Sequence, residues 1–131
     1  MYDFTNYLLS VTSYLTAVFA ESDVEVEIYC LFSGKFITYP LDKATVTVGF
    51  KKFYFVPSDS GISGTLELKL TLFSERDLGA EEHTYILSVL IDALKDFDEF
   101  SINQVHIGSP SYDRTISALK TEIVLTVPFS L

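Results

Sequence analysis

The sequence predicts an α+β domain: a mainly antiparallel sheet with a long β-hairpin, and two helices packed on one face. Two patterns support this prediction. In two separate segments apolar residues recur at intervals of three and four, which is the period of a helix with one buried side. Elsewhere apolar and polar residues alternate, which is the period of a strand with one buried face. The order helix, run of strands, helix, two strands is typical of an α+β domain.

The length fits a single domain covering residues 1–131. A chain of 131 residues buries roughly two thirds of the surface that it exposes when unfolded, which is enough for one core. The sequence contains no internal repeat, low-complexity tract or linker that would divide it.

The first helix is predicted over residues 4–20, with Asp3 or Thr5 at its N-terminal cap. Its interior Ser and Thr residues are weak helix formers, so this helix depends on packing against the sheet. The same segment fits neither a secretory leader nor a membrane span, since Asp3 stands where a leader carries positive charge and polar residues interrupt the apolar run. The apolar stripe consists of Phe4, Tyr7, Leu8, Val11, Tyr14, Leu15, Val18 and Phe19.

The first strand is predicted to start at Val24, where the apolar period changes to two. Residues 33–34 predict a turn, and residues 36–39 a short second strand that ends or lies on an edge by Pro40. One side of the first strand carries Val24, Val26, Ile28, Cys30 and Phe32, and the other side carries Glu25, Glu27, Tyr29 and Leu31.

The most informative segment begins at Pro40 and reads PLDKATVTVGF, followed by KKFYFV. Its alternation predicts a strand over residues 44–50, in which Gly49 marks a bulge or a close backbone approach. Residues 57–64 are rich in Ser and Gly and predict a flexible loop. Alternation returns over residues 65–73, so the sequence predicts a long hairpin with that loop at its tip, in a register that the sequence leaves open.

After Gly79 the helical period returns, with Glu81 and Glu82 in the first turn, where the helix dipole favours carboxylates. Residues 102–107 and 119–129 predict two closing strands, linked by a loop or twisted hairpin end over residues 108–115. The apolar side of the second helix consists of Tyr85, Ile86, Val89, Leu90, Ala93, Leu94 and Phe97.

Composition narrows the possible partners. Nine basic and eighteen acidic residues give 9 − 18 = −9, so the protein repels phosphate backbones, and nucleic acid is expected only as passing cargo. Aromatic residues make up 15% of the chain; these rings fill a core, face a partner, or do both. The single Cys30 forms no internal disulfide, which fits a reducing compartment.

The reactive side chains lack the spacing of a catalytic or metal site, so the sequence predicts no enzyme, no cofactor and no metal. His83 and His106 lack paired ligands and are expected to be structural. Cys30 points to the apolar side of its strand, where a thiol is a poor nucleophile. Four acidic residues lack the pattern of a calcium loop and fit a solvated helix face: Asp92, Asp96, Asp98 and Glu99.

Two regions are candidate contact surfaces. Lys51 and Lys52 interrupt the aromatic strand, as charges do on an edge that discourages unwanted pairing or meets an acidic neighbour. Beside Tyr112, Asp113 and Arg114 either anchor a partner or form a local salt bridge. The predicted interface residues are Phe50, Lys51, Lys52, Phe53, Tyr54, Phe55, Ser58, Asp59, Ser60, Gly61, Tyr112, Asp113 and Arg114.

The segments PLDKATVTVGF, LELKLTLF, EEHTYILSVLIDALKDF and ISALKTEIVLTVPF, with the amphipathic first helix, resemble the tail terminator or tail completion proteins of long-tailed bacteriophages and prophages. The resemblance covers nearly the whole chain in element order. It implies a subunit without cofactor or reaction that forms a ring, six-membered in that family, on the tail tube. Such a ring stops tube polymerisation and docks the head connector, while DNA passes through its acidic lumen. The expected locations are the bacterial host cytoplasm during assembly and then the virion tail.

Three other functions remain open at this level. The first alternative is another tail, neck or baseplate component. The second is a small ligand-binding or enzymatic domain with a cleft near His106, Tyr112, Asp113 and Arg114. A third alternative is an accessory protein that binds one partner by strand addition along residues 50–56.

Overall fold

The computed structural model describes residues 4–31, 41, 43–59, 61–75 and 79–130. It confirms the predicted α+β class. The elements in chain order are α1 (Thr5–Ala20), β1 (Val26–Cys30), β2 (Ala44–Ser58), β3 (Gly61–Glu75), α2 (Gly79–Lys95), β4 (Gln104–Ile107), β5 (Ser111–Asp113) and β6 (Ala118–Ser130).

Among these residues the sheet has the strand order β1-β2-β3-β6-β4, with β5 also paired to β6. All pairings are antiparallel except β1 with β2, which is parallel. Several predictions concern residues outside the described ranges: the strand over residues 36–39, the turn over residues 33–34, and the roles of Asp3, Phe32, Pro40 and Ser60.

The core lies between the two helices and one face of the sheet. The register places Val48, Leu70 and Ile123 side by side across three strands, and all three side chains are fully buried. From the helices, the buried residues Leu8, Val11, Leu15, Phe19, Ile86, Leu90 and Leu94 join the same cluster. Each such apolar side chain contributes about 1.5–3 kcal/mol on burial, so this packing determines where both helices lie.

A hydrogen bond joins the two helices near the end of α2. The Tyr14 hydroxyl donates to the Ala93 carbonyl oxygen at 2.6 Å. This carbonyl also accepts a hydrogen bond from the Asp96 N–H at 3.2 Å, so the Tyr14 hydroxyl is a second donor that ties α1 to the last turn of α2. Burial, then the nearby charges of Asp96 and Asp98, raise the pKa of Tyr14, which keeps its hydroxyl protonated as the donor.

Three predictions for the helical layer and the first strand were wrong. Tyr85 does not join the core: its ring is 46% exposed, and its hydroxyl donates to Asp23 at 3.0 Å. The first strand begins at Val26 instead of Val24, because the Ser22 side chain binds both the N–H and the carbonyl of Val24 and so closes a turn after α1. Tyr29, expected on the polar side, is buried like its neighbour Cys30.

The hairpin loop is far shorter than predicted. Instead of a loop over residues 57–64, β2 continues to Ser58 and β3 begins at Gly61, and these two residues pair. Gly61 has a φ of 132°, a conformation that glycine adopts without steric cost. Pro57 is tolerated in β2 because this part of the strand lies at an edge, where a missing N–H breaks no ladder.

Gly49 and its neighbours explain the irregularity of β2. A Cβ atom at Gly49 would lie 2.6 Å from Leu31 Cδ1, which is the end of a flexible side chain, so the predicted close approach of backbone does not occur at Gly49. The bulge itself falls just after it, between Phe50 and Lys52, with Lys51 as the extra residue. The closing strands also differ slightly from prediction, since the linking segment 108–115 contains the short strand β5.

In the described part of the chain, no helix is long and apolar enough to cross a lipid bilayer.

Candidate functional site

The distal part of β2 lies at an edge of the sheet. β1 pairs with β2 only from Ala44 to Val48, whereas β3 pairs with β2 as far as Ser58. Within the described residues, therefore, positions 51–58 have a strand on one side only. We call residues 51–58 the hairpin edge. An edge of this kind presents unpaired backbone N–H and C=O groups to solvent, ready to pair with another strand.

Four consecutive apolar side chains on the hairpin edge face solvent. Phe53 is 43% exposed, Tyr54 49%, Phe55 60% and Val56 70%. Exposed apolar residues are normal when they are scattered, but a contiguous group is typical of a contact surface. Lys51, Lys52 and the turn residue Asp59 are also exposed.

The bulge at Lys51 determines which face each aromatic ring occupies. Before it, Phe50 pairs with Leu68, and after it Phe53 pairs with Leu66, so both rings lie on the helix side of the sheet. Phe50 is half-buried and 5.1 Å from Phe53, centroid to centroid. Phe50 therefore packs partly against the core, and its place in an interface stays a prediction.

Other ring contacts show where much of the aromatic content goes. The ring of Phe4, just before α1, packs edge to face against two other rings. The centroid-to-centroid distances are 5.1 Å to Phe53 and 5.2 Å to Phe129. Tyr7 contacts Phe100 at 5.0 Å in the same manner. Edge-to-face pairs of this kind are stabilising beyond the area they bury. The aromatic surplus thus serves both the core and the surface.

On the opposite face of β2, the Lys52 ammonium lies 5.7 Å from the centre of the Tyr54 ring. A cation over an aromatic face is attracted by the ring quadrupole, by about 0.5–1 kcal/mol at an exposed site. This contact orients Lys52 along the hairpin edge and keeps its charge next to the apolar group.

The second predicted contact region lies elsewhere. Tyr112 and Asp113 are on β5, which pairs with β6 at its start, next to the end of β3 farthest from the hairpin tip. Asp113 pairs with Lys120 at 3.6 Å and accepts a hydrogen bond from the Thr115 N–H at 3.0 Å. Arg114 is exposed beside this pair. The structure therefore does not bring the two predicted contact regions together.

The suggested ligand cleft around His106 and Tyr112 is not formed by those residues. His106 pairs with Val124 and Tyr112 with Leu119, five positions apart along β6, which is about 17 Å at 3.4 Å per residue. An odd separation also places the two side chains on opposite faces of the sheet. Both are exposed.

A cleft that the sequence prediction missed lies between the end of α2 and β4. It has a volume of about 640 Å³ and a mixed lining, in which Phe97, Phe100, Ile102 and Val105 are apolar and Lys95, Asp98, Ser101 and Asn103 are polar. Phe97 belongs to the predicted apolar stripe of α2, so its participation was foreseeable. The position of β4 opposite it was not, because strand order is a long-range property.

His83 forms a buried polar chain with two side chains that the sequence did not single out. Ser74 Oγ lies 2.6 Å from His83 Nδ1, and His83 Nε2 lies 2.7 Å from Thr121 Oγ1. Serine beside histidine resembles a nucleophile with its base, but all three residues are at most 1% exposed. Because no substrate can reach them, these three hydrogen-bonded side chains act as a structural link between α2, β3 and β6.

The remaining reactive groups are dispersed. Cys30 is buried within the core. In the described ranges no three His, Cys, Asp or Glu side chains are grouped to hold a metal ion.

Comparison with models of known protein families gives no match, and comparison with curated proteins finds no relative of this chain.

Proposed function

We propose that this chain is a structural assembly subunit of the phage tail terminator type. It forms a homo-oligomeric ring at the end of a tail tube, stops tube polymerisation and joins the tube to the head-connector proteins. It works by shape and contact in the virion tail, without a cofactor. DNA passes through its lumen as cargo.

The observation that carries this proposal is the hairpin edge. It combines a one-sided strand with four adjacent exposed apolar side chains, Phe53 to Val56. Such a surface is costly to leave in water, and strand addition by another chain satisfies both its backbone groups and its apolar side chains. The net charge of −9 supports the role of DNA as cargo, because a negative lumen does not retain phosphate backbones.

Light scattering on the purified protein over a wide concentration range, with electron micrographs of stained particles, tests the proposal. We expect a defined oligomer and ring-shaped particles. A strict monomer that neither forms rings nor binds tail tubes at high concentration would overturn it.

A pair of matched variants makes the test specific. Phe55→Ser removes an exposed ring from the hairpin edge, and Tyr85→Ser removes one from α2. Burial of a Phe side chain contributes about 1.5–3 kcal/mol, so F55S should weaken each contact roughly tenfold to a hundredfold. Y85S should leave the oligomer unchanged.

A further inference from the structure

We propose that copies of this chain join head to tail, with the hairpin edge of one copy pairing antiparallel to the outer edge of β4 in the next. This inference rests on the proposed function, since it names the two surfaces through which the ring closes. The partner is a second copy of the same chain.

The two surfaces lie at opposite sides of the described sheet. β2 beyond Val48 is one margin, since β1 reaches no further, and β4 is the other. All four residues of β4, Gln104–Ile107, are exposed. A contact between two different surfaces leaves one of each available on every added copy, so it repeats until a ring closes or a filament forms.

Strand direction permits this pairing without turning one copy over. β2 and β6 run the same way, because each is antiparallel to β3, and β4 runs the opposite way. A neighbouring copy in the same orientation therefore presents β4 antiparallel to the hairpin edge. Antiparallel pairs form nearly linear hydrogen bonds and require no crossover connection.

The apolar side chains of the two margins then meet on one face. Phe53 and Phe55 lie on the helix side of β2, since they pair with Leu66 and Gly64. Val105 and Ile107 lie on the helix side of β4 and are each 39% exposed. Side by side, these four residues form one apolar row across the contact.

The cleft beside β4 adds a receptor for this row. Phe97, Phe100 and Ile102 line it beside Val105, together with polar side chains that include Asp98 and Asn103. Phe55, which is 60% exposed, projects from the helix face of the hairpin edge toward the same side of the neighbouring copy. Aromatic side chains that fill such pockets dominate the energetics of protein contacts.

Charge favours the head-to-tail contact over a two-fold one. Lys51 and Lys52 are exposed on the hairpin edge, and the head-to-tail contact places them beside β4 of the next copy, whose four residues include no Lys or Arg. A symmetric dimer through two hairpin edges would instead bring four lysines together, which is unfavourable.

Cysteine cross-linking tests the geometry. Tyr54→Cys and His106→Cys place thiols on the same face of the two margins, opposite the helices, and the native Cys30 is only 5% exposed. With a short bifunctional maleimide, we expect covalent dimers when the two variants are mixed and a ladder of larger species from the double variant. Efficient cross-linking of Y54C alone would show a two-fold contact and overturn the inference.

Charge introduction tests the same contact independently. Phe55→Glu and Val105→Glu each place a carboxylate in the apolar row, and each should weaken self-association at least about tenfold. The matched control Leu9→Glu introduces the same charge at an exposed apolar residue of α1, outside both margins, and should have no such effect.

The outcomes separate this inference from the proposed function. If the wild-type protein forms rings but the charge variants associate normally and the mixed cysteine variants do not cross-link, the head-to-tail pairing is wrong while the ring stands. If the wild-type protein stays monomeric, both are wrong.

Discussion

At the scale of single residues, the most unusual feature is a chain of polar side chains in an apolar interior. His83 uses both ring nitrogens, one toward Ser74 and one toward Thr121. A buried polar group is tolerated only when it is hydrogen-bonded, and here each member has a partner. The arrangement fixes α2 above β3 and β6 at one rotational setting, because a rotated helix would leave these groups unpaired.

This geometry predicts a stability that falls on mild acidification. Burial lowers the pKa of His83, so below pH of about 6.5 the unfolded state binds a proton that the folded state does not. The free energy of unfolding should therefore decrease as the pH falls from about 7.5 to about 5.5, by at most about 1.4 kcal/mol per pH unit. Urea denaturation at several pH values measures it.

The two histidines of the chain provide the comparison. His83→Gln should remove this pH dependence, and it should also destabilise the fold by leaving Ser74 or Thr121 unpaired. His106→Gln, at an exposed position, should retain the wild-type dependence. An H83Q variant with an unchanged pH profile would contradict the role assigned to the buried histidine.

At the scale of elements, the β2–β3 hairpin is decisive, because its distal half carries the hairpin edge. Gly64 sits inside β3 opposite Phe55, and the two strands approach so closely there that a Cβ would lie 2.7 Å from Phe55 Cα. Glycine in a strand interior often marks such an approach. Because Gly64 has no side chain, the backbone of Phe55 lies close to it, and this approach determines where the Phe55 ring lies.

Gly64→Ala should force the two strands apart at this point. We expect a loss of about 1–3 kcal/mol in the free energy of unfolding, as for other overpacked sites, measured by urea denaturation. Ser63→Ala changes an exposed neighbour and should stay within about 0.5 kcal/mol of the wild type. If G64A proved as stable as S63A, the close approach would not be a constraint on the hairpin.

At the scale of the whole molecule, charge determines how the protein behaves toward DNA. The chain carries a net charge of −9, and the exposed lysines of the hairpin edge lie close to apolar side chains rather than along an extended basic groove. Binding to a phosphate backbone requires several neutralising cations on one surface. We therefore expect the molecule as a whole to repel duplex DNA.

We accordingly expect no binding of labelled duplex DNA, measured by fluorescence anisotropy, at about 0.15 M salt, where screening acts over about 8 Å. Repeating the titration at lower salt is the control, because electrostatic binding strengthens there. Tight, salt-dependent binding would contradict the role of DNA as passing cargo.

Sequence reasoning recovered some of the candidate site and missed the rest for identifiable reasons. The aromatic run from Phe53 to Phe55 and the adjacent lysines were predicted as contact residues; the structure leaves them exposed at an edge, and the contact itself stays a prediction. The predicted loop over residues 57–64 is mostly strand. The prediction failed because a composition rich in Ser and Gly fits a long loop as well as a two-residue turn between two edge strands. The second predicted contact region, at Tyr112, lies at the opposite margin of the sheet, which no local pattern indicated.

Local patterns in the sequence predicted the α+β class, the two helices and the long strands in their order, and most of the apolar side of each helix. Residue periodicity is a local property, and it follows directly from helix and strand geometry. Only the tertiary structure decided the parallel pairing of β1 with β2, the burial of His83 and the cleft between α2 and β4. These depend on which strands become neighbours, and neighbours are selected by contacts between residues far apart in the chain, which no local pattern records.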